Sequence, residues 1–285
     1  MTDRNTPATG GDGFAGRYRA AVAERGRLCA GIDPHPSLLE QWGLPVSVDG
    51  LRSFAQSCVA GLGPTAAVIK PQVAFFEAFG SAGFAVLEET IAGCRAAGAL
   101  VLADAKRGDI GSTMAAYAAA WLEPAAPLCS DAVTVSPYLG FGALDPAVTL
   151  ARTTGRGVFV LARTSNPDGT ELQTAQVART RTVAQSVVDA AAAVNADGSG
   201  TAGVVVGATR EHGLDLSALA GPILSPGLGA QGASAADVAA VFADTADPAW
   251  LLPAASRAIL AAGPGAADLA AAASTVRDQI EAALS

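Results

Sequence analysis

The residues best suited to chemistry are an aspartate, a lysine and a second aspartate that follow a short apolar run. Asp104 and Lys106 are two positions apart, and Asp109 comes three positions later. Residues i and i+2 of a strand point to the same side, so Asp104 and Lys106 are predicted to face one surface. An ammonium flanked by carboxylates stays protonated at neutral pH, which makes Lys106 a proton donor rather than a nucleophile. Asp109 lies on the turn into the next helix and can point elsewhere, even out of the subunit.

Lysine is rare in this chain, and both copies come at the ends of predicted strands. The 285 residues include 16 arginines but only two lysines, Lys70 and Lys106. A genome that favours Ala and Arg explains the scarcity, because most surface positions accept either cation. A remaining lysine is expected where a compact, rotatable ammonium is needed. We therefore interpret both lysines as functional. The alternative is a structural ion-pair cluster that closes one end of the fold, and burying such a cluster is costly.

Composition excludes several classes of protein. The chain is 51% hydrophobic and 15% charged, so it can bury a large core and is not a disordered protein. Its net charge of −8 provides no basic field for nucleic acid. His35 and His212 are too far apart in sequence to suggest a multi-histidine metal site. The four cysteines show no C-x-x-C spacing and are expected to be buried thiols of a reducing compartment.

No segment of the sequence predicts membrane insertion or export. Residues 1–13 are polar and Gly-rich, without the apolar core of a signal peptide, and we expect a disordered tail. The Ala-rich stretches are interrupted by Pro, Gly, Asp or Arg, so none is expected to cross a membrane. A soluble, cytoplasmic protein with no nucleic-acid or membrane partner is the expectation.

Short apolar runs alternate with longer Ala-rich stretches along the rest of the chain. The predicted strands are 28–32, 66–69, 99–103, 132–135, 158–162, 203–206, 222–224 and 250–252. The predicted helices are 14–25, 49–62, 81–97, 112–122, 174–195, 234–242 and 266–283. Eight strands alternating with helices predict a single (β/α)₈ TIM barrel over residues 14–285, preceded by an additional N-terminal helix. A doubly wound open sheet is the alternative, weakened by the absence of G-x-G-x-x-G after the first strand.

In a barrel of this type, chemistry takes place where strands end and the following loops begin. Asp33, Lys70 and Asp104 all come at such ends. Segment 225–232 is Gly-rich and precedes a helix, so its backbone N–H groups could bind an anion, and it could also be a mobile lid. Arg257 follows the eighth strand and could bind the same anion through its guanidinium.

These motifs together resemble the orotidine 5′-phosphate decarboxylase family. Residues 104–113 read D-A-K-R-G-D-I-G-S-T, which is similar to the family signature D-x-K-x-x-D-I-x-x-T. Supporting motifs occur in family order: G-I-D at 31–33, I-K-P at 69–71, S-N-P at 165–167, S-P-G-L-G-A-Q-G at 225–232 and S-R at 256–257. The resemblance spans roughly residues 28–260, and K-P-Q-V-A-F-F-E at 70–77 resembles the longer bacterial branch.

The resemblance implies decarboxylation of orotidine 5′-monophosphate to uridine 5′-monophosphate (UMP) and CO₂, the last step of de novo UMP biosynthesis, without a cofactor or metal. It implies that Lys106 donates a proton to C6 and that Asp104 lies beside the substrate carboxylate. Asp33 and Lys70 would hold the ribose hydroxyls.

The resemblance also assigns the remaining contacts. Ser165 would bind the pyrimidine edge, while Gly229 and Gln231 belong to the segment between base and phosphate, and Arg257 would bind the phosphate. Asp109 and Thr113 would reach the site of a second subunit, which implies a homodimer.

Two departures from the family pattern concern the phosphate ligand. The interval from Gln231 to Arg257 is long, and Ser256 stands where glycine is common. Arg210 and Arg163 are the alternative phosphate ligands. His35 is interpreted as a loop residue, and Arg107 as an interface or supporting cation.

Three other functions remain open. A magnesium-dependent keto-sugar phosphate decarboxylase or synthase would need an extra carboxylate just before Asp104, and residues 101–103 are Val-Leu-Ala. A non-catalytic barrel would be expected to lack part of the charged set. A Schiff-base aldolase would need a lysine with a lowered pKa.

Overall fold

The computed structural model describes residues 13–208, 211–229 and 232–285, and its central feature is a closed barrel of parallel strands. In chain order the strands are β1 (Cys29–Ile32), β2 (Val68–Pro71), β3 (Leu100–Arg107), β4 (Ala132–Val135), β5 (Gly157–Arg163), β6 (Gln176–Ala178), β7 (Arg181–Thr182), β8 (Ala202–Val206), β9 (Ile223–Pro226) and β10 (Leu251–Ala255). The barrel order is β1-β10-β9-β8-β5-β4-β3-β2, and β6 and β7 form a separate antiparallel hairpin.

Helices follow most of the barrel strands and pack outside them. In chain order they are α1 (Phe14–Arg25), α2 (Pro36–Gln41), α3 (Val48–Leu62), α4 (Val73–Glu77), α5 (Gly80–Ala96), α6 (Gly111–Leu122), α7 (Asp145–Thr153), α8 (Thr170–Thr174), α9 (Val183–Val194), α10 (Ala235–Val241), α11 (Arg257–Leu260) and α12 (Ala266–Ala283). Side-chain caps fix several helix starts; Ser234 and Asp237 form a reciprocal capping box at α10.

The barrel strands are short and apolar because both of their faces are covered. Every residue of β1, β4 and β8 is buried, which matches continuous runs of Val and Ala rather than an alternating pattern. The predicted (β/α)₈ barrel is therefore confirmed, and each of the eight predicted strands corresponds to a barrel strand.

Helix α1 covers the N-terminal end of the barrel. Phe14 packs edge-on against Phe159 of β5, with ring centroids 6.1 Å apart. Tyr18 stacks on Trp250 at 5.5 Å and donates its hydroxyl hydrogen bond to the Trp250 carbonyl. Arg17 forms an ion pair with the buried Asp131, which also accepts from the Val101 amide. These contacts attach α1 to β5 and to the residues just before β4 and β10, and they cover that end with aromatic side chains.

An irregularity in β3 shapes the opposite end of the barrel. Ala103 pairs with Val133 and Arg107 pairs with Val135, so β3 contains two more residues than β4 over this interval. Within the bulge Lys106 has a left-handed backbone, with φ of 49°. Its amide donates to the Thr134 hydroxyl at 2.9 Å, which replaces the missing ladder bond. The bulge therefore redirects the chain at the residues predicted to carry the chemistry.

One predicted helix is wrong in extent. The sequence predicted a continuous helix over 174–195, whereas α8 ends at Thr174, the β6–β7 hairpin follows, and α9 starts at Val183. Thr182 caps α9 by accepting a hydrogen bond from the Gln185 amide. The T-x-x-Q spacing is a recognised start signal, so this boundary could have been read from the sequence. Four further short helices (α2, α4, α7 and α11) lie in segments that were not assigned.

Several expectations concern particular segments. The sequence predicted a disordered tail over residues 1–13. Residues 1–12 lie outside the described residues, and Gly13 lies next to α1. Assignment of residues 14–285 to one domain stays a prediction. All four cysteines are buried free thiols, as expected. Among the described residues, no helix is both long enough and apolar enough to cross a membrane.

Because Phe14 is buried between α1 and β5, we predict that Phe14→Ala lowers the free energy of unfolding by about 3 kcal/mol through loss of aromatic burial and a residual cavity. Urea denaturation followed by circular dichroism measures this change. Leu172→Ala is the control, since Leu172 is half exposed on α8 and is expected to change stability by less than about 0.5 kcal/mol. Equal effects of the two substitutions would contradict the role of α1 as a packed cover.

Candidate active site

A cavity of about 380 Å³ opens at the C-terminal ends of the barrel strands. Polar and charged side chains from several different strand ends converge on it, as in other barrels of this type. Its lining includes Asp33, Lys70, Gln72, Phe75, Asp104, Lys106, Thr134, Thr164, Ser165, Asn166, Ser256 and Arg257, together with Pro226, Gly227 and Leu228.

Asp104 is the hub of the charged groups in this cavity. Its Oδ1 accepts from Lys106 Nζ at 2.6 Å and from the Thr134 hydroxyl at 2.9 Å. Its Oδ2 lies 3.2 Å from Lys70 Nζ. The Asp104 side chain is only 10% exposed, so these interactions act where water screens them little. A single buried carboxylate thus binds both lysines of the protein.

Electrostatics keep these groups ionised. Burial alone would raise the pKa of Asp104, but the ammonium groups of Lys70 and Lys106 and the hydrogen bonds from Lys106 and Thr134 outweigh it and lower the pKa to about 2. For Lys70, burial favours the neutral amine, yet the charges of Asp104 and Asp33 raise its pKa above the ordinary value. Lys70 is therefore an ammonium at neutral pH and cannot act as the free amine of a Schiff-base enzyme.

Asp33 borders the same charged group from β1. Its Oδ1 lies 4.0 Å from Lys70 Nζ and is buried without a hydrogen-bond partner among the described residues. Gly31, two positions earlier, allows close approach of β10, because a Cβ at this position would lie 2.7 Å from Ser256 Cβ. A buried carboxylate oxygen that lacks a donor and faces a cavity is suited to binding a ligand hydroxyl.

The rim formed by the segments after β9 and β10, next to β1 in the barrel, contains the candidate anion ligands. Segment 226–228 lines the cavity, and Gly229 beside it has φ of 75°, a conformation that favours glycine. Arg257 is the first residue of α11, is exposed and lines the cavity. The barrel strand before it continues to Ala255, three residues beyond the predicted end. Gln231 and the alternative ligand Arg210 lie outside the described residues.

Arg163 is not brought into the cavity. It is buried and donates to Gln173 Oε1 at 3.2 Å, while Gln173 also accepts from the Thr164 amide and donates to its hydroxyl. Gln173 thus holds the loop that carries Ser165, and Ser165 itself lines the cavity. Of these two arginines, Arg257 lines the cavity and Arg163 does not.

Asp109 and Thr113 do not line the cavity of their own chain. Asp109 Oδ1 accepts from the next amide, that of Ile110, at 2.8 Å. Thr113 is exposed on the first turn of α6. Asp109 lies in the loop between β3 and α6, where its side chain is partly exposed.

The sequence analysis interpreted His35 as a loop residue and Arg107 as an interface or supporting cation. His35 precedes α2 and its ring lies 4.2 Å from that of Phe75, in keeping with a loop residue. Arg107 forms an ion pair with Glu77 of α4 and lies over the Tyr117 ring, so it supports the rim and does not enter the cavity.

Sequence reasoning missed three residues of the cavity: Gln72, Phe75 and Thr134. Gln72 and Phe75 follow the Lys70-Pro71 strand end, so their position could have suggested them. Thr134 lies inside a run of valines and gave no signal, because its role depends on the bulge in β3. The described part of the chain contains no cluster of three or more His, Cys, Asp or Glu side chains that could hold a metal ion.

Since Asp104 is the counter-ion for two ammonium groups, Asp104→Asn is predicted to lower the free energy of unfolding by about 3 kcal/mol at pH 7. The pKa of Asp104 is lowered by folding, so its contribution is present above about pH 4 and is lost as the pH falls towards about 2. Urea titrations of both proteins between pH 3 and pH 7 measure the difference. A difference that stays constant below pH 4, or is absent at pH 7, would refute this role.

Comparison with known proteins agrees with this geometry. The sequence model of the orotidine 5′-phosphate decarboxylase / HUMPS family matches residues 26–272. The chain is 59% identical over 276 residues to an orotidine 5′-phosphate decarboxylase of Salinispora arenicola, covering 96% of this chain and 99% of the relative. It is 57% identical over 261 residues to that of Corynebacterium glutamicum (strain R), covering 90% and 93%.

Solved structures show the same relationship. A crystal structure from Streptomyces avermitilis assigned to this decarboxylase has a TM-score of 0.94 and 50% identity, covering 100% of this chain and 99% of that one. The orotidine monophosphate decarboxylase of Leishmania donovani has a TM-score of 0.74 and 31% identity, covering 95% and 98%. With the match over most of its length, the chain belongs to the orotidine 5′-phosphate decarboxylase / HUMPS family.

Proposed function

We propose that this protein is a carboxy-lyase that converts orotidine 5′-monophosphate to UMP and CO₂, the last step of de novo UMP synthesis, without a cofactor. The observation that carries the proposal is the Lys70–Asp104–Lys106 array, which lies in a cavity with the cation Arg257 at its rim. The relatives that carry this activity in their names match nearly the whole chain.

The reaction replaces the carboxylate on C6 of the pyrimidine with a proton. The C6–carboxylate bond breaks, its electron pair stays on C6, and CO₂ leaves. Charge then develops on an sp² carbon that the ring delocalises poorly. Lys106 stabilises this charge with a fixed ammonium and then transfers a proton to C6. The lysine returns to its charged form from solvent, so the cycle needs no other reactant.

Asp104 and Lys70 hold Lys106 in place for this transfer. The carboxylate of Asp104 keeps Lys106 Nζ at 2.6 Å, and Lys70 on its other oxygen balances its charge. The substrate carboxylate is proposed to enter the cavity beside Asp104. The positions of Asp33 and Lys70 suit contacts with the ribose hydroxyls, since both line the cavity at the ends of the paired strands β1 and β2.

Residues of the segments after β5, β9 and β10 are proposed to contact the phosphate and the base. Arg257 binds the phosphate together with the backbone around Gly229, and Gln231 links base and phosphate. Ser165 binds the pyrimidine edge from the β5 loop. Binding energy from the phosphate, which does not react, can then be used to close segment 225–232 and order the reacting centre.

The active form is proposed to be a homodimer in which Asp109 and Thr113 of each subunit reach the cavity of the other. Both lie outside their own cavity, on the loop and helix that follow β3. Ile110, Tyr138 and Leu139 are large apolar residues exposed on the loops after β3 and β4. Exposed apolar groups at this end of the barrel support a subunit contact there. We also propose that the enzyme acts in the cytoplasm on the free nucleotide, without nucleic-acid or membrane partners.

The decisive experiment follows the ultraviolet absorbance of orotidine 5′-monophosphate with purified protein in excess EDTA. Wild type is expected to remove the orotate chromophore rapidly, and Lys106→Ala to lower kcat by at least about 10⁴-fold because both the electrostatic stabilisation and the proton donor are lost. Arg52→Ala is the control, since it removes a partly exposed cation of α3 far from the cavity.

Two outcomes would redirect the assignment. No turnover by folded wild type, with turnover of a keto-sugar phosphate in magnesium, would identify the alternative branch of the family. Full activity of Lys106→Ala would remove the lysine from the mechanism. Retained UMP binding by Lys106→Ala, measured by calorimetry, confirms that its cavity is intact.

Shared active sites predict complementation between two inactive variants. Mixed subunits of Lys106→Ala and Asp109→Ala are expected to regain about a quarter of the wild-type activity, because random exchange makes half of the dimers mixed and gives each mixed dimer one intact site. Activity is measured after co-refolding, with each variant refolded alone as the control. Failure to regain activity, with mixed dimers present by mass spectrometry, would show that Asp109 serves its own subunit.

A further inference from the structure

Gln72 contacts both Asp104 and Lys106, although it takes part in neither of the two lysine–aspartate ion pairs. Gln72 lies just beyond β2, and its backbone N–H donates to the Ile32 carbonyl at 3.0 Å. On its other side Gln72 forms an isolated parallel bridge with Asp104. Its backbone is thus fixed between the ends of β1 and β3, and its side chain lines the cavity.

The orientation of the Gln72 amide follows from its neighbours. With the oxygen towards Asp104, two acceptors would face each other, and only a 3.4 Å contact with Lys70 Nζ would compensate. With the nitrogen towards Asp104, it donates to Oδ2, and the amide oxygen accepts from Lys106 Nζ at 3.2 Å. The second orientation satisfies both ends of the amide, so the Gln72 nitrogen faces Asp104 and the Gln72 oxygen faces Lys106.

In this orientation Gln72 completes the hydrogen bonding of Asp104. Thr134 and Lys106 donate to Oδ1, while Lys70 and Gln72 donate to Oδ2. A carboxylate has about four acceptor sites, so each oxygen has two donors. The carboxylate plane is therefore fixed from both sides.

Gln72 also restrains the ammonium of Lys106. The lysine side chain is 44% exposed, and Asp104 alone would leave it free to rotate around one contact. A second acceptor, the Gln72 oxygen, closes a ring of hydrogen bonds through Lys106, Asp104 and Gln72. Because the two acceptors of Lys106 Nζ, on Asp104 and Gln72, lie at the ends of different strands, they fix the direction of Nζ as well as its distance from Asp104.

We infer that Gln72 is a positioning residue that aims the Lys106 ammonium at the reacting carbon through its bonds to Asp104 and Lys106. The inference rests on the proposed decarboxylase function and extends it to a neutral side chain. Because Gln72 carries no charge and acts through Lys106, its removal is expected to reduce kcat far more than it raises KM.

The test compares Gln72→Met, Gln72→Glu and wild type. Methionine has nearly the same length but no hydrogen-bonding group, and we expect kcat to fall about 10- to 100-fold while KM changes less than about threefold, the scale of a hydrogen bond to a charged group. Glutamate keeps an acceptor for Lys106 but places a second carboxylate against Asp104, so it is expected not to restore kcat. Gln185→Met on α9 is the matched control, because the Gln185 side-chain amide bonds only Asp189 and Asp215 among the described contacts.

A second readout isolates proton transfer. By microscopic reversibility the group that protonates C6 also exchanges the C6 hydrogen of UMP with solvent deuterium, which proton NMR follows without any decarboxylation. Gln72→Met is expected to slow this exchange by a factor similar to the loss in kcat, at saturating UMP. Thermal unfolding and UMP affinity, measured on the same samples, separate this effect from misfolding.

Each result decides the inference. If Gln72→Met has the same kcat and the same exchange rate as wild type, the inference is wrong and Gln72 contributes only packing. A loss confined to KM would overturn it in favour of substrate binding, and a loss of kcat matched by an equal loss of folded protein would assign Gln72 to stability. Absence of turnover and exchange in wild type would overturn the proposed function together with the inference, whereas an active wild type confines any failure to Gln72.

Discussion

The pairing of one buried carboxylate with two ammonium groups is the interaction on which the rest of the site depends. Asp104 can remain ionised in a cavity only because Lys70 and Lys106 occupy its two oxygens. The lysines in turn would repel each other without it. This mutual requirement fixes the register of neighbouring strands, since Lys70 comes from β2 and Asp104 from β3. A closed barrel with parallel strands is the architecture that brings those two strand ends together.

The two ends of the barrel differ in the kind of side chain that borders the interior. At the N-terminal end, α1 covers the strands with the aromatic rings of Phe14 and Tyr18, and the ion pair between Arg17 and Asp131 lies beside them. At the C-terminal end the floor of the cavity carries the ionised Asp104 and Lys70, and the cost of burying these charges is offset by ion pairs and hydrogen bonds. The middle of the barrel is filled by residues such as Leu102 and Phe159. The charged residues at the C-terminal end therefore rest on a packed layer of side chains, and a fixed proton donor requires such support.

The sequence was most informative where a local signal had one meaning. Eight apolar runs predicted eight barrel strands, and charged residues after them predicted the cavity. Prediction failed where the geometry depended on another strand. Thr134 is recruited by a bulge in β3, and Gln72 contributes through an amide whose partners are on β3. The long helix at 174–195 was wrong because Ala, Gln and Thr are acceptable in a helix, and only the Thr182 cap marks the true start.

The distribution of cations follows from what each can do with a proton. A guanidinium holds its protons at any physiological pH and binds two oxygens at once, so Arg257 suits a phosphate. An ammonium can both carry charge and release a proton, which a reaction ending in protonation of carbon needs. This chain meets its other cationic requirements with arginine and retains lysine only beside Asp104. The same contrast explains why a neutral neighbour such as Gln72 is suited to the array, since it directs the ammonium without adding another charge to be balanced.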